Sequence, residues 1–251
     1  MNIRITPGHL AGSVTVPASK SHCHRLLIGA ALAGNMEAVP LDTHHSEDIQ
    51  ATCMALQSLQ DPVPCIDCRE SGSTLRFLLP VTMALKARAS FYGSGRLPER
   101  PLSPLWEEME THGCHLQHGD GSLICRAEGP LHGGDFFLPG DVSSQYVTGL
   151  LLALPLTQEG GTLHLTSPLQ SAGYVDMTLQ VLQQCSITIH SIADGYRIPG
   201  GQTYRVPDHP VPERDWSAAA FWIAANGLGA DITCPGDRKS TRLNSSHGRR
   251  S

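Results

Sequence analysis

The sequence predicts an α/β fold built from repeated βαβαββ units, and two observations carry this prediction. Four apolar helices each begin at a cluster of serine or aspartate residues, and more polar helices and short strands lie between them. A recurring order of elements is typical of internal duplication, and helices that alternate with strands pack as layers against sheets. The chain has 251 residues, enough for one large or two modest domains.

The individual elements follow from local patterns. Hydroxyl and carboxylate side chains cap helix starts, and small apolar residues continue each helix. The apolar helices are Ser19–Ala33, Ser71–Ala87, Ser143–Leu156 and Asp215–Ala225. The more polar helices are Glu47–Leu59, Leu105–His112 and Asp176–Gln184. The predicted strands are Asn2–Thr6, Ser13–Val16, Ser90–Tyr92, Ser122–Arg126, Thr162–Leu165, Ile187–His190 and Tyr204–Val206.

Composition excludes several classes of protein. Hydrophobic residues make up 40% and charged residues 16%, which argues against a disordered chain or a coiled coil. Acidic residues outnumber basic ones by 23 to 18, the opposite of the balance typical of nucleic-acid binders. The eight cysteines are scattered, which is typical of reduced thiols in the cytoplasm. No apolar run reaches the ~18–20 residues that span a membrane. We therefore expect neither a nucleic-acid nor a membrane partner.

Two segments need separate interpretation. Residues 20–33 imitate a secretion signal, with basic residues followed by an apolar run, but about 20 residues precede them and the run is short for the ~7–15 residues expected. Export is therefore the weaker alternative, and we expect a cytoplasmic protein. Residues 236–251 are polar and basic, and Asp237 to His247 resembles translated sequencing-adapter sequence. We predict a non-native, disordered tail there, against the alternative of a nucleic-acid-binding tail.

The helix starts are the candidate functional sites. A helix start leaves backbone N–H groups unpaired and carries partial positive charge, so it binds anions. Capping alone explains any single serine, but Lys20 and Arg25 accompany Ser19 and Ser21, and Arg76 accompanies the serines at 71 and 73. Such starts around one cleft would bind a substrate with several phosphate or carboxylate groups. Arg96 and Arg100 lie in a proline-bounded loop, as surface ion pairs or as anion ligands.

Other chemistries have weaker signatures. The chain lacks Gly-x-x-x-x-Gly-Lys-Ser/Thr, and no Gly-x-Gly-x-x-Gly follows a strand, so nucleotide binding is not expected. Cys65 and Cys68 form one CxxC without a second pair, which favours structural thiols over a zinc or redox site. The paired histidines at 22/24 and 44/45 are interpreted as surface or capping residues.

Taken in order, six segments resemble the enolpyruvyl transferases, most closely the branch that acts on shikimate 3-phosphate. The segments are Pro17–Arg25, Ser71–Arg76, Leu97–Pro101, Asp141–Gln145, Tyr174–Thr178 and Asp215–Ala219. The resemblance covers residues 1 to about 235, and it implies a two-lobed fold of βαβαββ units with helix N-termini at an interdomain cleft. Residues 1–17 and 213–235 would form a partial first lobe, and residues 18–212 a complete second lobe.

The resemblance also implies a reaction in the shikimate pathway to chorismate and aromatic amino acids. The enolpyruvyl group of phosphoenolpyruvate passes to the 5-hydroxyl of shikimate 3-phosphate and phosphate is released, without metal or cofactor, in a protein expected to be monomeric. Carried over by motif, Lys20 contacts both substrates and is the catalytic residue present in this chain. The shikimate 3-phosphate ligands would be Lys20, Ser21, Arg25, Ser143, Ser144, Gln145, Ser171 and Tyr174. The phosphoenolpyruvate ligands would be Lys20, Gly72, Arg100 and Gln145.

Departures from the family pattern leave alternatives open. The family's frequent Lys-Pro is absent around Ser171, so this residue is the weakest assignment. The acidic proton acceptor of the family would lie beyond residue 251, so we expect a C-terminally truncated chain that is inactive alone. One alternative is the related transferase that acts on UDP-N-acetylglucosamine, although it carries Lys-Asn where this chain has Lys20-Ser21. The other is a non-catalytic phosphate-binding lobe. In either case we expect uncovered apolar surface around Phe221, Trp222 and Ile232.

Overall fold

A computed structural model gives the structure of residues 8–41 and 45–235. The helices are α1 (Lys20–Leu32), α2 (Glu47–Ser58), α3 (Gly72–Leu85), α4 (Leu105–Thr111), α5 (Ser144–Ala153), α6 (Ala172–Gln184) and α7 (Trp216–Gly227). The strands are β1 (Ala11–Ser13), β2 (Cys65–Asp67), β3 (Arg88–Tyr92), β4 (His115–His118), β5 (Leu123–Glu128), β6 (Gly134–Pro139), β7 (Gly160–Ser167), β8 (His190–Ile192), β9 (Gly195–Pro199) and β10 (Asp231–Thr233).

The same βαβαββ unit occurs twice in succession. In the first unit the strands are ordered β2-β3-β5-β4, and in the second β6-β7-β9-β8. In each unit the first pair is parallel and the other two pairs are antiparallel. A parallel pair requires a crossover, which α3 supplies in the first unit and α5 in the second. The α/β repeat prediction is confirmed for these units.

The core lies between the helices and the two sheets. Helices α1, α3 and α5 are buried along most of their length because other elements surround them, with Leu26, Leu78 and Leu150 fully buried. The closest helix pair is α3 and α5, and Gly149 allows it, since a Cβ there would collide with the backbone oxygen of Arg76. The two units also meet through the imidazole of His112, stacked on the Phe136 ring at 3.6 Å between centroids.

A second, smaller region joins the two ends of the described chain. Strand β1 pairs in parallel with β10, and α7 packs beside β10. Just before α1, Ser19 N–H donates to Glu213 O at 2.7 Å, and Asp215 N–H donates to Pro17 O at 2.8 Å. Helix α7 therefore begins beside the start of α1.

Most predicted helices are confirmed, with corrections at their ends and among the strands. Helix α6 begins at Ala172 rather than Asp176. Its first turn is hard to recognise in the sequence, because Gly173 lies within it and a turn at Ser171 precedes it. Strand β8 begins at His190 rather than Ile187, since Ser186 has a φ of +63° and redirects the chain out of α6. The prediction of a strand over 204–206 is wrong: Tyr204 is buried and donates its hydroxyl to Leu152 O, and no strand of the described residues pairs with it. Pairing in the first strand covers Ala11–Ser13 rather than Ser13–Val16.

Short strands were also missed, and two predictions cannot be compared with the structure. The strands β2, β4, β6, β9 and β10 were not predicted, since most are short and several alternate polar residues at a sheet edge. The predicted strand Asn2–Thr6 and the predicted tail lie outside the described residues.

Candidate functional site

The start of α1 brings a lysine to the side of a cleft. Ser19 caps the helix by accepting a hydrogen bond from His22 N–H at 3.4 Å. The next side chain is Lys20, whose Nζ forms a 2.6 Å ion pair with Asp48 Oδ2 in the first turn of α2. The Lys20 side chain is 51% exposed, so this ion pair contributes little to stability. It does hold the ammonium group at the junction of α1 and α2.

Two adjoining clefts share the Lys20 side chain. The larger, of about 700 Å³, lies between the starts of α1, α6 and α7. Its lining includes Lys20, Ser21, Ser171, Tyr174, Glu213 and Trp216. The smaller cleft, of about 350 Å³, lies on the α2 side, and Lys20 and Asp215 line both. The structure thus brings Lys20, Ser21, Ser171 and Tyr174 together, as expected if they contact one ligand.

Beneath the larger cleft, Arg25 joins three helices. It is almost fully buried, and its Nε donates to Thr178 Oγ1 at 2.7 Å. The Nη2 group donates to Thr148 Oγ1 at 3.2 Å and to Tyr174 O at 3.1 Å. Such a buried guanidinium is costly unless its donors are satisfied, and here protein oxygens accept them. Arg25 therefore anchors the helix starts that carry Ser21 and Tyr174, and its direct contact with a ligand stays a prediction.

A second cluster of polar groups forms where α3 begins beside α5. A Cβ on Gly72 would lie 3.1 Å from Arg76 Nη1 and 3.2 Å from Arg100 Nη1, so two guanidinium groups approach this glycine. Arg76 Nη1 donates to Gln145 Oε1 at 2.7 Å, and Gln145 Nε2 donates to Ser73 Oγ at 3.0 Å. No ion pair with a carboxylate involves either arginine within residues 8–41 and 45–235. Two unneutralised guanidinium groups at a helix start make a suitable site for an anion.

The two serines before Gln145 differ in their use. The Ser143 side chain caps α5 and accepts a hydrogen bond from Gln145 N–H at 3.2 Å. Ser144 is the first residue of α5 and is partly exposed. Both lie beside the Gln145 amide, so the predicted residues of this segment share the second cluster.

A buried hydrogen-bond network connects the two clusters. His24 Nδ1 lies 2.8 Å from Thr52 Oγ1, which is 2.6 Å from Thr74 Oγ1. Thr74 Oγ1 lies 2.7 Å from Ser71 Oγ and 3.5 Å from the backbone oxygen of Asp48. The starts of α2 and α3, which carry Asp48 and Gly72, are thereby held together. Lys20 and Gln145 accordingly lie on one connected set of helix starts.

The buried histidine corrects one interpretation. The interpretation of the paired histidines as surface or capping residues is wrong for His24, which is buried, and burial lowers its pKa to about 3. Its imidazole is therefore neutral at pH 7. The Nε2 atom has no hydrogen-bond partner among residues 8–41 and 45–235. A neutral ring that donates from Nδ1 to Thr52 leaves only a lone pair at Nε2, which costs less than an unpaired N–H would.

Some site residues were missed because their sequence signal has an ordinary explanation. An acidic residue at a helix start, such as Asp48, suits the helix dipole, and Arg76 stands out in the sequence only by its charge. Trp216 lines the larger cleft, and its buried Nε1 has no partner within the described residues. Its position next to the Asp215 cap is the only signal that could have indicated this placement.

Metal and thiol chemistry find no support in the described part of the chain. Residues 8–41 and 45–235 contain no group of three or more His, Cys, Asp or Glu side chains suited to a metal ion. Cys65 opens β2 and is exposed, whereas Cys68 is buried, and burial raises the pKa of its thiol far above the ordinary value. A thiol that stays protonated is a poor nucleophile or ligand, which agrees with the structural interpretation of the CxxC.

Among the helices that the structure describes, none combines the length and the apolar character needed to cross a bilayer.

The family model, the relatives and the solved structure described next all indicate the same family. The family model described as EPSP synthase (3-phosphoshikimate 1-carboxyvinyltransferase) matches residues 5–65 and 61–244. Proteins named 3-phosphoshikimate 1-carboxyvinyltransferase from Clostridium perfringens and Clostridium kluyveri are each 38% identical, over 92% and 93% of this chain. One of the same name from Methanocorpusculum labreanum is 34% identical over 94% of this chain.

The solved structures agree with the sequence relatives. EPSP synthase from Acinetobacter baumannii has a TM-score of 0.72 and 21% identity, covering 92% of this chain and 57% of that protein. At this identity the likeness establishes the fold. The chain spans 59% of the length of the two clostridial relatives.

Proposed function

The chain belongs to the EPSP synthase family, and on that premise we propose that it supplies the shikimate 3-phosphate-binding part of a 3-phosphoshikimate 1-carboxyvinyltransferase. Such an enzyme transfers the enolpyruvyl group of phosphoenolpyruvate to the 5-hydroxyl of shikimate 3-phosphate and releases phosphate. The product leads through the shikimate pathway to chorismate and the aromatic amino acids.

One observation carries the proposal: the starts of α1 and α6 meet at a cleft of about 700 Å³ that contains Lys20. Helix starts and an ammonium group attract a phosphate, and the hydroxyls of Ser21 and Ser171 suit the ring hydroxyls of a sugar-like ligand. The exposed face of Tyr174 adds an apolar wall. We assign Lys20, Ser21, Ser171, Tyr174 and the Ser143–Gln145 segment to shikimate 3-phosphate, with Arg25 holding the helix starts beneath them.

The second cluster is the proposed phosphoenolpyruvate site. Gly72 lets an anion approach the start of α3 closely, and Arg100 adds a guanidinium group that suits a phosphate or carboxylate. Gln145 belongs to this second cluster through its bonds to Arg76 and Ser73, and its amide would serve either substrate. Lys20, at the junction of α1 and α2, would contact both.

We also propose that residues 18–212 form one lobe and that residues 8–17 and 213–235 belong to another. The paired segments before α1 and α7 support this division, since the chain passes between the two regions only there. A cytoplasmic, monomeric protein is proposed as well. All eight cysteines are free, which agrees with a reducing compartment.

Titration calorimetry with shikimate 3-phosphate tests the binding proposal. We expect binding by the wild-type chain and at least about tenfold weaker binding by Lys20→Ala, because a charge-assisted contact is lost. Lys86→Ala is the matched control, since Lys86 caps the far end of α3, and it should bind like wild type. Equal weakening by both variants, or preferential binding of UDP-N-acetylglucosamine, would contradict the assignment.

We further propose that this chain does not complete the reaction alone, since it spans 59% of its relatives' length. Proton transfer needs a carboxylate within reach of the reacting atoms. The carboxylates near Lys20 are Asp48, which is paired with it, Asp215, which caps α7, and Glu213, which lines the larger cleft. Phosphate release from shikimate 3-phosphate and phosphoenolpyruvate, measured with the purified chain, should stay at background. Turnover that depends on Asp48 would show that the described carboxylates suffice.

A further inference from the structure

We propose that Arg76 is a positioning residue that fixes the side-chain amide of Gln145, so that this amide presents an N–H donor to the bound anion. The inference rests on the proposed function for the identity of the ligand, shikimate 3-phosphate. The hold of Arg76 on Gln145 is a property of the protein itself.

The hydrogen bonds determine which way the amide faces. A guanidinium group can only donate, so the atom of Gln145 that lies 2.7 Å from Arg76 Nη1 must be the oxygen Oε1. The Nε2 group therefore lies on the other side, where it donates one hydrogen to Ser73 Oγ at 3.0 Å. The second Nε2 hydrogen has no acceptor among the described residues. It is the group available to a ligand.

The direction of the amide decides what Gln145 can bind. Phosphate and carboxylate groups accept hydrogen bonds, so an amide that presented its oxygen would repel them. A free glutamine can turn its amide by half a rotation and present either end. Because Arg76 fixes the orientation of the amide, Gln145 presents an N–H group. It therefore favours a ligand group that accepts hydrogen bonds.

Arg76 is itself held in place by neighbouring elements. Its Nη2 donates to Pro101 O at 3.2 Å, and its guanidinium carbon lies 5.5 Å from the centre of the Tyr146 ring. The Tyr146 hydroxyl donates to the same Pro101 oxygen at 2.7 Å. These contacts fix the guanidinium between α3, α5 and the loop that carries Arg100.

The way in which Arg76 is bonded favours action through Gln145 over direct binding. Its Nη groups donate to the protein, and its Nε is buried without a partner within residues 8–41 and 45–235. A residue kept only for stability seldom leaves a buried donor unpaired. The Arg76 charge, which no carboxylate of the described residues neutralises, therefore fits a functional role.

A double-mutant cycle on shikimate 3-phosphate affinity tests the inference. By calorimetry, we expect Arg76→Met to weaken binding about tenfold and Gln145→Ala to weaken it by a similar factor. The double variant should bind no more weakly than Gln145→Ala alone, because Arg76 acts through the amide. Multiplied effects in the double variant would overturn the proposal. Arg88→Met, which removes an exposed arginine that pairs with Glu128, should bind like wild type.

Nuclear magnetic resonance of the free protein separates this inference from the proposed function. In the wild type the two Gln145 Nε2 hydrogens should have distinct, dispersed shifts, and in Arg76→Met they should move to the values of a free glutamine. Arg76→Lys should do the same if the planar guanidinium is required, while an unchanged backbone spectrum shows that the variants fold. Unaltered Gln145 resonances in Arg76→Met would overturn the proposal, even if shikimate 3-phosphate does not bind. Failure of the wild type to bind, with altered resonances, would contradict only the proposed function.

Discussion

Helices α5 and α7 begin in the same way but differ in burial. Both are apolar, and each is capped by a side chain that accepts a backbone N–H, Ser143 for α5 and Asp215 for α7. Eight of the ten residues of α5 are buried. In α7, which the structure describes throughout, Ala219 is the single buried residue. Local sequence therefore makes a helix, whereas its surroundings decide whether apolar side chains contribute to stability.

The difference in surroundings is easily traced. Helix α5 lies between α3 and α6, whereas α7 packs mainly beside β10. Phe221 is 79% exposed and Leu228 is 91% exposed. The expectation of uncovered apolar surface is confirmed for Phe221 and partly for Trp222, but it is wrong for Ile232. That residue is buried, and its strand β10 lies beside both β1 and α7.

The largest difference in stability between α5 and α7 is expected when one apolar side chain in each helix is truncated to alanine. Leu150→Ala, at a fully buried site in α5, should lower the free energy of unfolding by about 2–5 kcal/mol, because it leaves a cavity. Phe221→Ala in α7 should change it by less than about 0.5 kcal/mol. Urea denaturation followed by circular dichroism measures both. Equal losses would show that α7 is covered in solution.

A change of pH should affect the packed region through His24, which has no counterpart among residues 213–235. The folded pKa is about 3 and the ordinary value is 6.5, so the unfolded chain binds the proton between these pH values. Stability due to the neutral imidazole is thus present above pH 6.5 and falls by up to ~1.4 kcal/mol per unit as the pH drops. Urea denaturation at pH 7, 6 and 5 should show a shallower decline for His24→Gln. His190→Gln is the exposed control, and a wild-type slope in His24→Gln would contradict burial.

Glycine-to-alanine substitutions should change the stability of the protein in opposite directions in the two helices. In α5, the added Cβ of Gly149→Ala meets the backbone oxygen of Arg76, so α3 and α5 must separate at a cost of about 1–3 kcal/mol. In α7, a Cβ on Gly227 meets no atom within 4 Å. There alanine should stabilise the helix by up to ~1 kcal/mol. Thermal unfolding of both variants gives the signs, and destabilisation by Gly227→Ala would contradict its open surroundings.

Removal of the cap of α7 is expected to have a small and local effect. Asp215→Ala removes an acceptor that lies 2.9 Å from Ser217 N and 3.1 Å from Ala218 N, at a cost of about 1 kcal/mol. Since few contacts join α7 to the rest, the loss should appear as faster hydrogen exchange within α7 alone. Asp215→Asn keeps an acceptor and should exchange almost like wild type. Faster exchange in α5 as well would mean that the two regions unfold together.

These contrasts also show how far sequence can predict the structure. The starts of α1, α3, α5 and α7 were predictable because Ser19, Ser71, Ser143 and Asp215 act on the backbone within three residues. The edge strands β2 and β4 were not, since each is short and is defined by its neighbour in the sheet. Local signals were sufficient where the partner is local.

The candidate site likewise has a part that the sequence predicts and a part that it does not. The residues of the helix starts could be named from sequence and from resemblance, and the structure brings them together. The bond between Arg76 and Gln145 joins residues 69 positions apart, and the burial of His24 depends on Thr52 in another helix. Such contacts arise only when helices pack against each other, so no local sequence pattern predicts them.

The pairing of β1 with β10 has a consequence for the order in which the molecule assembles. The Thr233 hydroxyl donates to Gly12 O, a residue 221 positions away, and the chain enters and leaves α1–β9 through adjacent hydrogen-bonded segments. Closing so long a loop in an unfolded chain is entropically unfavourable, whereas a compact α1–β9 body brings the two ends together beforehand. During synthesis β1 therefore cannot pair with β10 until nearly the entire described chain has left the ribosome.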